Sequence, residues 1–451
     1  MPAFDPHAVR PSFPALAQEA SGRPAVFFDA PGGTQVPQTV IDAIGAYLAH
    51  SNANTHGAFA TSQRTDVTIA AAHQAMADLL GCAPGETVFG ANMTTLNFAL
   101  SRAIGRELGP GDEIVVTRLD HDANVAPWRA LEERGVTIRE VDVDVEDCTL
   151  DWADFESKVN ARTRLVALGY ASNAVGTIND VQRAVALAKS VGALSFIDAV
   201  HYAPHGPINV GALGCDFLAC SVYKFFGPHV GVLYGKAEHL ERLRPYKVRP
   251  ASEAAPERWM TGTQNHECLA GVTAAVDYLA TLGEGREGRL DHEGREGRLD
   301  HEGREGRLDH EGREGRLDHE GRETGEGRES RREALVAAMG LVQAYERGLS
   351  ERLVGGLLSV PGLTFYGIRE PERFAERTPT VSFRMAGRTP RDVAEALGAR
   401  GIFVWDGNYY ALSLSERLGV ESLGGMVRVG LAHYNTAEEV DYLLEALGEL
   451  A

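Results

Sequence analysis

Seven short apolar runs, set among amphipathic stretches, fill the first half of the chain and leave it few ways to fold. ETVFGA, DEIVVTRL, VTIREVDV, TRLVALGY, ALSFIDAV, CDFLACSV and VGVLYG each have strand length, and several are apolar on both faces. Around them PQTVIDAIGAYLAHS, TIAAAHQAMADLLG, TTLNFALSRAIGREL, APWRALEERG and VQRAVALAKSVG carry apolar residues at three-to-four spacing, which predicts helices. Strands buried on both faces and joined by helices predict an α/β fold with a mostly parallel sheet. In such a sheet the ligand site lies outside the carboxyl ends of the strands.

The alternation stops at Glu284. From there to His319 the unit EGREGRLDH occurs four times without change, and EGRE follows. Each unit has one apolar residue against five charged ones, too little burial to offset the entropy of ordering it. Residues 284–329 are therefore expected to be a low-complexity, charged, solvated insertion. Beyond it SRREALVAAMGLVQAYERGLSERLVGGLLS predicts a long helix ending before Pro361. PTVSFRM, RDVAEALGARG, IFVWDG, MVRVGL and TAEEVDYLLEALGEL then predict a smaller α+β unit. A chain of 451 residues exceeds what one core supports. The expected division is an N-terminal arm (1–25), a large domain (26–283), the insertion, and a small domain (330–451).

A net charge of −19 repels a phosphate backbone, so nucleic acid is not an expected partner. No segment has the apolar length of a signal peptide or a membrane span, which predicts a cytoplasmic protein without membrane contact. Cys82, Cys148, Cys215, Cys220 and Cys268 are an odd, scattered set, neither a disulfide framework nor a zinc site, and no metal is expected.

Four loops after predicted strands carry polar groups: GANMTTLN, RLDHDANVAPW, YASNAVGT and IDAVHYAPHG, with Lys224 further on in CSVYKFFGPHVGVLYG. Singly they decide little. A threonine-rich loop opening a helix is an anion site or an ordinary cap. Asp198 suits a metal, a nucleotide or a cap, and a lone lysine is usually a solvated charge.

In their order and spacing, however, these segments resemble the pyridoxal-phosphate enzymes of the class V aminotransferase family, and within it the cysteine desulfurase and selenocysteine lyase branch. The resemblance runs from FFDAPGGT and NANTHGAF to VRVGLAHYNT. It implies the fold type I architecture, with a large cofactor-binding domain and a small C-terminal one. It implies a Schiff base between Lys224 and the aldehyde of pyridoxal 5'-phosphate, and Asp198 paired with the pyridine nitrogen, which keeps the ring an electron sink. His121 matches the imidazole stacked on the ring and available for proton transfer. Asn173 matches the side chain beside the phenolic oxygen. Met93, Thr94, Thr95 and Ser221 match the phosphate loop, and Thr263 matches a residue reaching the phosphate of a neighbouring subunit, which implies a homodimer with shared sites. His201 and Tyr223 stand where the family often has glutamine and where the branch has histidine. Arg428 matches the arginine that grips the substrate carboxylate. Gly32, Asn173 and Tyr410 belong to the same substrate pocket.

Two positions depart from that branch. Tyr410 stands nearest to the cysteine that carries sulfur as a persulfide, and Trp405 replaces a substrate-binding arginine. The implied activity is chemistry at the α-carbon of a small amino acid, desulfurase-like or selenocysteine lyase-like but without the persulfide cysteine. Transamination, racemisation or epimerisation on the same lysine, and cofactor binding without catalysis, are the alternatives.

Overall fold

The computed structural model describes residues 4–283 and 326–451; the four charged repeats lie outside the described residues. All seven apolar runs form strands of one sheet: β1 (Thr87–Gly90), β2 (Glu113–Thr117), β3 (Thr137–Val141), β4 (Thr163–Gly169), β5 (Leu194–Asp198), β6 (Phe217–Ser221) and β7 (Gly231–Gly235). Their order across the sheet is β1-β7-β6-β5-β4-β2-β3. β7 is antiparallel to both neighbours, and every other pairing is parallel. Six strands therefore deliver their carboxyl ends to one side. Within β4, Val166 and Leu168 enter one core while Leu165 and Ala167 enter another. Burial on both faces is why these runs lack polar alternation.

Helices α1 (Gln38–His50), α2 (Ala60–Leu80), α3 (Met93–Ile104), α4 (Val181–Ser190), α5 (His266–Thr281) and α6 (Glu326–Leu357) surround the sheet, with α5 packed on α1, α2 and α6. Two expectations shift. α2 starts at Ala60, ahead of the apolar stripe that begins at Thr68, because its polar first turns are held by hydrogen bonds instead. Thr65 Oγ1 lies 2.9 Å from the Tyr47 hydroxyl in a buried contact. The APWRALEERG segment is one α-turn, Ala126–Arg129, followed by a 3-10 turn over Ala130–Arg134 that ends in left-handed Gly135.

The C-terminal unit holds β8 (Leu363–Tyr366), β9 (Thr380–Met385), β10 (Trp405–Gly407) and β11 (Met426–Gly430) in the antiparallel order β8-β9-β11-β10. The run IFVWDG does not form one strand. Ile402–Phe403 pair in parallel with Val26–Phe27, whereas Trp405–Gly407 join β11. Val26 and Phe28 accordingly lie in the C-terminal core with Val427, Val429 and Leu443. Among the described residues, no helix is long and apolar enough to cross a membrane.

Candidate active site

A cavity of about 560 Å³ opens where the carboxyl ends of β1, β2, β4, β5 and β6 meet the C-terminal unit. From the carboxyl-end side of the large sheet come Met93, Thr94, His121, Asn173, Asp198 and His201, joined by Ser221 at the end of β6 and Tyr223 and Lys224 after it. Gly32 arrives from the N-terminal segment, and Tyr410 and Arg428 from the C-terminal unit. Two predicted residues are elsewhere. Thr95 is outside the lining because Asn92 engages it: its N–H donates to Asn92 Oδ1 at 2.8 Å and its hydroxyl to the Asn92 carbonyl at 2.9 Å. Thr263 is exposed and does not reach this cavity.

Lys224 follows β6 in a 3-10 turn that turns its amine inward, where Nζ donates to the Pro31 carbonyl and lies 4.7 Å from the Tyr223 ring centroid. Burial and the nearby Arg428 charge lower its pKa to about 7, against the opposing pull of Asp198 and Asp29. Asp198 ends β5, buried, accepting the Val200 N–H at 2.9 Å. Burial raises its carboxyl to about 6. Behind it Asp120, raised to about 7 by burial, accepts the Thr117 hydroxyl at 2.7 Å.

His121 accepts the Ala123 N–H on Nδ1 at 3.0 Å, which leaves Nε2 as the proton-bearing nitrogen. Burial, Lys224 and Arg428 lower its pKa to about 4, so the ring is neutral at pH 7. It stacks on Tyr410 at 5.3 Å. The Tyr409–Tyr410 turn is clasped to the large domain by backbone contacts. Asp122 N–H donates to the Tyr410 carbonyl at 2.7 Å, and Asn173 Nδ2 to the Tyr409 carbonyl at 2.9 Å. Both tyrosines take positive φ, 54° and 61°, a conformation costly for such side chains. His201 is buried against Thr378 Oγ1 at 3.2 Å, and its pKa is pushed down by burial.

At the N-terminus of α3 the Asn92 side chain caps Thr95 only, so the first-turn amides of Met93 and Thr94 remain as anion donors beside the cavity. On the opposite wall Arg428, buried on β11, donates to the Asn173 carbonyl at 2.9 Å and lies over the Tyr409 ring. Burial lowers its pKa only to about 10, so it stays cationic.

Sequence reasoning did not name Asn92 and Asp120 in the lining of this site, nor Asp29 beside it. Asn92 was legible as a cap before a helix; the two aspartates have no local signal.

The donor set fits pyridoxal 5'-phosphate. Asn173 Oδ1 and Arg428 Nε are buried without a hydrogen-bond partner among the described residues, as polar groups awaiting a ligand would be. A Cβ on Gly231 would strike the Asn92 and Met93 backbone, so the anion-facing turn is held close by a residue that has to be glycine.

Comparison with known proteins agrees with the geometry. The aminotransferase class-V family model matches residues 26–295 and 335–443. A cysteine desulfurase of Pectobacterium carotovorum is 30% identical over 456 residues, covering 97% of this chain and 96% of that one. A probable cysteine desulfurase of Mycolicibacterium paratuberculosis is also 30% identical, but the chain spans only 58% of its length. The apo structure of a cysteine desulfurase from Thermococcus onnurineus superposes with a TM-score of 0.81 at 26% identity, covering 100% of this chain and 99% of that one. The chain belongs to the aminotransferase class-V family of pyridoxal phosphate-dependent enzymes.

Proposed function

We propose that the protein is a cysteine desulfurase-like enzyme acting at the α-carbon of a small amino acid, with Lys224 as the covalent anchor of the cofactor and without a persulfide-forming cysteine. The observation that carries this reading is the convergence of Lys224, Asp198, His121 and Arg428 on one cavity. Pyridoxal 5'-phosphate, when bound, supplies an electron sink for the bond broken at the α-carbon.

The remaining work falls to this chain's own side chains. Arg428 grips the substrate carboxylate, and the Tyr409 ring beneath it holds the guanidinium in place. Lys224, with its pKa near 7, exchanges a proton readily at neutral pH. His121 presents Nε2 to the cavity as a second proton-bearing atom. Asp198 would hold the ring nitrogen and the α3 amides with Ser221 would hold the phosphate, while Asn173 Oδ1 and Arg428 Nε lie ready for polar ligand atoms.

The sulfur-carrying step is where this chain departs. None of its five cysteines lines the cavity. Burial pushes the Cys148 and Cys215 thiols up to about 12, away from the thiolate that attack requires. Tyr410 occupies the loop position nearest to the branch's cysteine, and a phenol does not carry sulfane sulfur.

A homodimer is part of the proposal: Thr263 lies exposed outside its own chain's cavity, and Ile41, Leu48, Phe59 and Val67 leave apolar surface uncovered. A cytoplasmic setting completes it.

The test is an absorption spectrum of the purified protein, an amino-acid titration, and product analysis. Keto acid with the amine form of the cofactor indicates transamination, and inverted amino acid indicates racemisation. A strong protein-bound persulfide after incubation with cysteine, abolished by replacing one native cysteine, sinks the cysteine-free reading.

A further inference from the structure

The segment from Val26 to Thr34 ties the two walls of the cavity together. At one end Val26–Phe27 pair with Ile402–Phe403, and the Phe28 carbonyl accepts the Gly430 N–H at 2.9 Å. At the other end Thr34 N–H donates to the Tyr223 carbonyl at 3.1 Å, and the Thr34 hydroxyl accepts the Phe226 N–H at 2.8 Å. Those contacts bind the segment to the turn that carries Lys224.

Asp29 stands midway along it. It forms an isolated parallel bridge with Gly430, and Gly430 shares a strand face with Arg428, two residues away. The Asp29 and Arg428 side chains therefore lie on one side of that pairing. Asp29 Oδ1 is closed off from solvent and, like Arg428 Nε, has no hydrogen-bond partner among the described residues. Two residues on, the Pro31 carbonyl accepts the Lys224 amine.

Lys224 and Arg428 thus share a cavity largely withdrawn from water, where like charges repel far more than they do in solvent. Asp29 is the carboxyl group coupled to both. It faces Arg428 from β11, Lys224 from the turn after β6, and Tyr434 from the segment after β11. Lys224 faces Asp198, His121 and His201 in addition. Burial raises the Asp29 carboxyl to about 6 while Arg428 and Lys224 hold it down.

We infer that Asp29 is a positioning residue of this site, a counter-charge shared by Arg428 and Lys224 that sets how strongly the site draws a carboxylate and how tightly the lysine amine keeps its proton. The inference rests on the cavity being the cofactor and amino-acid site proposed above. Ionised, Asp29 opposes a carboxylate arriving at Arg428 and favours a proton on Lys224. Its removal strengthens the first and releases the second. Replacing a residue that merely packed the segment in place weakens binding instead.

Asp29→Asn keeps the shape and removes the charge. Propionate, a carboxylate without an amine, is titrated calorimetrically into the purified protein, and the visible absorption of bound cofactor is followed against pH. The expected result is a propionate Kd lower by about threefold or more, with an absorption midpoint lower by about half a pH unit or more. A propionate affinity that is unchanged or weakened, or a midpoint that does not move, overturns the proposal. Asp29→Ser serves the same comparison should the asparagine variant not fold. Wild-type protein without cofactor absorption sinks the cofactor reading, while the propionate affinity, which needs no cofactor, still decides the role of Asp29.

Discussion

The Arg428 guanidinium lies over the Tyr409 ring, its carbon 4.2 Å from the centroid, while the Tyr409 hydroxyl donates to the Met426 carbonyl two residues before Arg428. The ring is thus anchored to the strand it serves. A desolvated cation–π contact contributes about 1–2 kcal/mol. Tyr409→Leu should therefore raise the KM for an amino-acid substrate by about 10-fold with little change in kcat. Tyr409→Phe keeps the ring and should keep most of the affinity. Steady-state kinetics on the substrate found by titration checks both.

His121 is held neutral by burial and by the two cations, with a pKa near 4. His121→Ala should leave cofactor absorption in place and lower kcat by about 100-fold or more, the usual worth of a positioned proton donor or acceptor. Because the ring charges only near pH 4, an acid limb of the rate profile above pH 5 should persist in His121→Gln.

Lys224 imposes a pH dependence on the stability of cofactor-free protein. Its folded pKa, about 7, lies below the value of about 10.4 for an unfolded lysine. Between those values the unfolded chain binds more protons, so stability rises with pH; below about 7 the full penalty applies, at most on the order of 5 kcal/mol. Lys224→Met should flatten that rise in urea midpoints. In the loaded protein, Lys224→Ala should abolish borohydride-fixed cofactor.

Gly231 sits where β7 meets the turn before α3, and a Cβ there would run into the Asn92 and Met93 backbone. Gly231→Ala should displace the anion-binding amides and weaken cofactor affinity by about 10-fold or more, a shift of about 1.4 kcal/mol or more. Gly109→Ala, where a Cβ meets nothing within 4 Å, should leave it unchanged. Cofactor release on dialysis reads both.

Much of this site was legible because its residues follow strands. Apolar runs such as TRLVALGY and ALSFIDAV marked the sheet, and the polar residues just past them, Asn173, Asp198 and Lys224, line the cavity for the topological reason that six carboxyl ends share one side. A helix cap and an anion-binding turn carry the same residues, so the sequence does not separate Thr95, which lies outside the cavity lining, from Met93 and Thr94. Only the Asn92 hydrogen bonds show which amides are already occupied. The start of α2 was missed because hydrogen-bonded Thr65, not an apolar stripe, holds its first turns.

The sequence by itself determined the α/β sheet and the long helix after the repeats, because periodicity and local order are written in neighbouring residues. Only the tertiary structure decided that Asp120 lines the cavity and that Asp29 stands beside it, in the field of Arg428 and Lys224. Their parts depend on desolvation and on the approach of segments as distant in sequence as Asp29 and Gly430, and no local pattern encodes either.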